Sequence, residues 1–125
     1  MAEARLHGSR TLPKSERLQR GHEFRDAYEH GRKVAGRLFV LYVIDNPSKP
    51  RRAVGVVTSR KLGGAVVRNR ARRLLREAYR LNKQKLRNNL QMVVVARNAM
   101  NGKRLRDVEA EMLRLFQAAG ILIGM

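Results

Sequence analysis

The sequence predicts an α/β two-layer sandwich, ordered helix, strands, helix, strand, helix, around a mixed sheet of about four strands. Three observations carry this. Short runs rich in β-branched and aliphatic residues recur at 37–45, 53–60 and 90–96. Between and around them lie segments whose apolar residues repeat every three to four positions. A strand, a long helix and a further strand, 53–60 to 90–96, permit a parallel crossover.

The elements follow in order. GHEFRDAYEHG (21–31) reads as a short helix, with Phe24, Ala27 and Tyr28 at i, i+3, i+4 on one face and Gly31 suited to its end. RLFVLYVID (37–45) has the length and composition of a strand. NPSKPRR (46–52) is a turn, and AVGVVTSR (53–60) is a second strand. These two strands read as a hairpin with a loop of several residues. KLGGAV (61–66) breaks the strand with paired glycines, which suit either an ordinary strand-to-helix turn or close approach to a ligand. The next helix, 67–82, has Ala71, Leu74, Leu75 and Ala78 on its apolar face. LQMVVVA (90–96) is a buried strand and 98–103 a turn. The last helix, 104–120, carries an apolar stripe of Leu105, Val108, Met112, Leu115, Phe116 and Ala119, ended by Gly120. One domain is expected at 18–120. Residues 1–17 read as a flexible basic tail and 121–125 as a short C-terminal tail.

Composition narrows the function. The 125 residues carry 28 Lys+Arg against 10 Asp+Glu, a formal net charge of +18. A small domain this basic points to a polyanion, nucleic acid before an anionic membrane surface. There is no cysteine, which excludes disulfides, thiolate metal sites and a cysteine nucleophile. No apolar run reaches membrane-spanning length, so no membrane partner and a cytoplasmic address are expected.

The charge is concentrated. VVRNRARRLLREAYR (66–80) holds six arginines in thirteen positions against one acid, Glu77. On a helix, Arg68, Arg72, Arg76 and Arg80 form a row beside the apolar face, flanked by Asn69 and Arg73. Arg70 falls across the apolar stripe. Like charges at i, i+4 cost roughly 0.2–0.5 kcal/mol per pair in isolated helices. Three such pairs in one row favour an anionic partner over a merely solvated face. Arginine binds phosphate through two parallel hydrogen bonds and stacks on bases, which suits RNA. Arg60 and Lys61 leave the preceding strand beside the start of this helix.

The pattern S-R-K-L-G-x-A-V-x-R-N-x-x-R-R-x-x-R-E, here residues 59–77, resembles the signature of the bacterial ribonuclease P protein family. The resemblance extends from about Leu18 to Leu115, and Arg72 stands where many members have lysine. It implies a small protein joined to a catalytic RNA that removes the 5′ leader from precursor tRNA, with the protein a monomer within the ribonucleoprotein. It implies a left-handed crossover around the arginine-rich helix. It places RNA contacts at Arg60, Lys61, Arg68, Asn69, Arg70, Arg72, Arg73, Arg76 and Arg80. It also implies a cleft for the single-stranded leader at Phe24, Tyr28 and Tyr42, three aromatics that residue type alone would assign to the core. Mg²⁺ is then held mainly by the RNA, with none bound by the protein alone. A structural or ribosomal RNA-binding protein fits charge and size equally well.

The residues offer no catalytic or metal-binding set of their own. His7, His22 and His30 lack metal-ligand spacing, and no phosphate-binding loop motif occurs. Asp107 and Glu111 share a helix face but read as a solvated surface.

Overall fold

The computed structural model describes residues 12–45, 47 and 51–123. Most of the expected turn at 46–52 and residues 1–11 of the expected tail lie outside them. The elements are α1 (Gly21–His30), β1 (Arg32–Ala35), β2 (Phe39–Ile44), β3 (Ala53–Val57), α2 (Ala65–Asn82), β4 (Gln91–Ala96) and α3 (Leu105–Ala119).

Two acids start helices where no Ser, Thr, Asp or Asn caps them. Glu23 accepts hydrogen bonds from the backbone N–H groups of Gln19 and Arg20, at 3.0 and 3.1 Å, at the start of α1. Asp107 accepts from the Arg104 N–H at 2.9 Å at the start of α3. Gly120 closes α3 in the left-handed conformation at φ 69°, as its position predicts.

The four strands form one mixed sheet in the order β1-β2-β4-β3. β4 runs antiparallel to β2 and parallel to β3. The hairpin expected between 37–45 and 53–60 therefore does not exist; β4 lies between its two arms. The reason is burial. Gln91, Met92, Val93 and Val94 are all buried, and a β2–β3 hairpin would leave this apolar strand at a sheet edge. The parallel β3–α2–β4 connection is as expected. β1 is an addition to the elements read above: its four residues, RKVA, carry two cations and little strand signal. Arg32 holds it in place, donating to Asp45 at 2.8 and 3.0 Å.

Side chains alternate between two cores. Phe39, Leu41, Val43, Val54, Met92 and Val94 point to the face covered by α2 and α3. Ile44, Ala53 and Val93 point to the other, where α1 lies with Leu18 and Ala27. Sheet and helix pair make the expected sandwich, and α1 covers part of the free face. Residues 12–18, most of which were expected to be loose, wrap the β3 edge. Leu12 packs on the first core and Leu18 is buried in the second. The Leu18 N–H donates to the Val54 carbonyl at 3.0 Å. Lys83, 3% exposed, pairs with Glu16 at 2.8 Å. Beyond α3, Ile121 is fully buried and Leu122 bridges to Leu86, so the packed chain continues through residue 122.

Glu111 is 2% exposed, not part of a solvated helix surface. Its carboxylate accepts from the Arg37 and Leu38 N–H groups at 2.6 and 3.0 Å and pairs with Arg114. It thereby ties the β1–β2 turn to α3. Removing the acceptor strands two N–H groups, one of them fully buried. Glu111→Ala is expected to lower the unfolding free energy by about 2–4 kcal/mol in urea titrations, whereas Arg106→Ala on the exposed side of α3 changes it by less than about 0.5 kcal/mol. Equal stabilities would contradict this role.

Candidate nucleic-acid interface

Ala71, Leu75, Ala78 and Tyr79 bury one side of α2 against the first core. Leu74 is only half-buried, and Tyr79, not read as apolar-face from sequence, fills the gap. Its ring is fully buried and burial pushes its phenol well above the ordinary value. This anchoring fixes where the arginines point.

Asn69, Arg72, Arg73, Arg76, Glu77 and Arg80 line one groove on α2. Its far wall is Leu12 and Arg17, residues read from sequence as tail. Arg76 is partly buried, and its pKa is lowered by that burial first, then by Arg17 and Arg72. Cations have been brought together without full neutralisation. Glu77 leans to Arg80 and raises its pKa through their hydrogen bond. Arg73 and Arg76 have no acid partner among the described residues. Arg68 lies nearer the protein, half-buried, its Nε without a hydrogen-bond partner. Arg60 and Lys61 are exposed on the turn before α2, as expected. Arg70 stands apart and donates to the Lys103 carbonyl at 2.8 Å.

Arg72 is the most constrained of the row. It donates to Thr58 Oγ1 at 2.7 Å and to Asn69 Oδ1. Nothing in the sequence marked Thr58; its role depends on the β3 terminus lying beside the second turn of α2. A guanidinium already held in place loses less side-chain entropy when it meets a phosphate.

The three aromatics come together on the opposite face of the sheet. Tyr28 and Tyr42 meet edge to face, ring centroids 5.0 Å apart at 79°. Phe24 sits over β3, where a side chain at Gly55 would collide with its ring. None of the three is fully buried; Tyr28 is 42% exposed, and its phenol is pushed up by burial and then by Tyr42. Half-buried Val57 and Val95 continue the surface, and Lys33 pairs across from Tyr42 in the sheet register. The result is an apolar, aromatic strip with a cation beside it. It can stack unpaired bases while the α2 groove takes phosphates.

Among the described residues, no three His, Asp or Glu side chains group so as to hold a metal ion. No helix there is long and apolar enough to cross a membrane.

Comparisons with known proteins agree on a family. The family model described as ribonuclease P matches residues 12–120. The ribonuclease P protein component of Clostridium acetobutylicum is 41% identical over 111 residues, covering 88% of this chain and 93% of its own length. A solved Staphylococcus aureus RNase P protein superposes with a TM-score of 0.77 at 27% identity, over 87% of this chain and 99% of that one. The RNase P protein of Thermotoga maritima gives a TM-score of 0.72 at 26% identity, over 82% and 96%.

Thr58→Val removes the acceptor on Arg72 but no charge. RNA affinity is expected to fall about 2- to 12-fold, the cost of ordering one long side chain on binding, with an unchanged salt slope. Thr58→Ser should restore it. Arg72→Ala should instead lower the slope of log affinity against log salt by about 0.7–0.9. A slope change in Thr58→Val, or no rescue by serine, would contradict the positioning role.

Proposed function

The chain belongs to the ribonuclease P protein family, and from that premise we propose that it partners a catalytic RNA in removing the 5′ leader of precursor tRNA. The observation that carries this reading is the α2 groove, in which Arg73 and Arg76 lack acid partners and Arg17 adds a second basic wall. In the proposal, Arg68, Asn69, Arg72, Arg73, Arg76 and Arg80 face the catalytic RNA, with Arg60 and Lys61 at the edge of the contact. Phe24, Tyr28 and Tyr42 hold the single-stranded leader on the other side of the sheet. Arg70 belongs to the same partner through a separate contact.

The protein's share of catalysis is electrostatic and positional. It lowers the repulsion between two RNAs and holds the leader so that the scissile phosphate meets the RNA's reactive centre. Three acids near these surfaces are engaged, Glu77 with Arg80, Glu23 with Arg51 and Asp45 with Arg32, and no three His, Asp or Glu side chains among the described residues group so as to hold a metal ion. We therefore assign Mg²⁺ to the RNA, where bound metal can activate water and stabilise the leaving oxygen.

Two measurements test the reading. At low Mg²⁺ the catalytic RNA alone should cleave precursor tRNA poorly, and added protein should restore cleavage. No stimulation would overturn the proposal and leave a purely structural RNA binder. Tyr28→Ala should weaken the complex's binding of leader-bearing tRNA roughly 5- to 150-fold, from about 1–3 kcal/mol of stacking per base, and leave leaderless tRNA unaffected. Equal losses for both substrates would remove the leader from the aromatic strip.

A further inference from the structure

Arg70 does not join the arginine row. Its hydrogen bond to the Lys103 carbonyl holds the guanidinium against the turn at 98–103. Beside it, the first turn of α2 presents two valines to solvent, Val66 at 82% exposure and Val67 at 39%. Only two other large hydrophobics are comparably exposed among the described residues, Tyr28 and Ile123. β-Branched residues gain nothing from a helix surface, since the helix restricts their side-chain rotation.

Val66, Val67, Arg70, Met100, Asn101 and Gly102 line a concavity of about 410 Å³. Gly102 turns at φ 81°, a conformation that other residues rarely adopt, and a side chain added there would meet nothing within 4 Å. No acid lines the concavity. Arg70 is the cation in its lining, and the chain segments on either side carry Arg60 and Lys61 before the helix and Lys103 and Arg104 after the turn. An apolar floor with one guanidinium and no acid in its lining matches one ligand chemistry well, a base face with a phosphate attached. A second copy of a chain with net charge +18 would be repelled from it.

We propose that this concavity holds one unpaired nucleotide of the RNA partner. Its base lies against Val66 and Val67 beside the Arg70 guanidinium, and its phosphate faces the cations of the neighbouring segments. A volume of about 410 Å³ is within the range of small-ligand sites. The planar guanidinium is suited to stacking on a base. The inference rests on the reading of the chain as an RNA-binding subunit and adds a contact distinct from the arginine groove and the aromatic strip.

The chain has no cysteine, so Val66→Cys provides a unique attachment point for a photo-crosslinker. In complex with the catalytic RNA, it should crosslink to one or two unpaired nucleotides. Val66 is almost fully exposed, so Val66→Asn should fold normally. It should weaken binding of that RNA roughly 10-fold, the scale set by covering one valine side chain, with an unchanged salt slope. Arg70→Lys, which keeps the charge and loses the plane, should also weaken binding at constant slope. Crosslinks scattered along helices, or unchanged affinity in Val66→Asn, would overturn the inference while wild-type stimulation of low-Mg²⁺ cleavage left the proposed function standing. RNA-free dimerisation abolished by Val66→Asn would also overturn it, making the patch a self-association surface. If the wild-type protein neither binds nor stimulates the catalytic RNA, the functional reading fails and this inference fails with it.

Discussion

Strand β4 pairs along its length with two neighbours, against β2 and alongside β3. Much of the rest is set by that arrangement. Parallel neighbours cannot be joined by a tight turn, so the chain between β3 and β4 must cross a face of the sheet, and α2 makes that crossing. Once α2 is laid down through Ala71, Leu75, Ala78 and Tyr79, the direction of its arginines is settled. The opposite face is left to α1, which is too short to cover it. The uncovered part is where Tyr28, Tyr42, Val57 and Val95 remain partly open. A one-residue slip of β4 would exchange its two faces and scramble both surfaces together.

The electrostatics follow from the same geometry. A chain with 28 cations and 10 acids must choose which cations to neutralise. The acids go to the scaffold: Glu16 to Lys83, Asp45 to Arg32, Glu23 to Arg51, Glu111 to two backbone N–H groups and Arg114. Among the described residues, only Glu77 pairs within the arginine row, with Arg80. The groove keeps its surplus charge, which costs stability in the free protein and, on the proposed function, is recovered when phosphates enter. Stability and binding are in tension there, and the strap at 12–18 sharpens it by adding Arg17.

The parts of this fold set by local pattern were legible in the sequence. The apolar spacing of α2 and α3, the β-branched run of β4 and the glycine ending α3 each report a local physical need. Features set by long-range burial were not. The β2–β3 hairpin is the natural reading of two adjacent strands, and only the total burial of Gln91–Val94 shows why β4 must come between them. Glu111 has the spacing of a surface acid; its burial depends on a turn seventy residues away. Arg17 lines the groove and Thr58 holds Arg72 through tertiary placement, and neither carries a motif. The clustering of Phe24, Tyr28 and Tyr42 was anticipated from family resemblance, since composition alone favours burying them.

The central claim is that one sheet separates two RNA surfaces, phosphate-binding on the α2 side and base-stacking on the other. Tethered hydroxyl-radical cleavage tests it directly, using single cysteines placed by Arg73→Cys and Tyr28→Cys in the assembled complex with precursor tRNA. The account predicts scission confined to the catalytic RNA from position 73 and to the tRNA leader from position 28. Scission of the same RNA segment from both positions would contradict it.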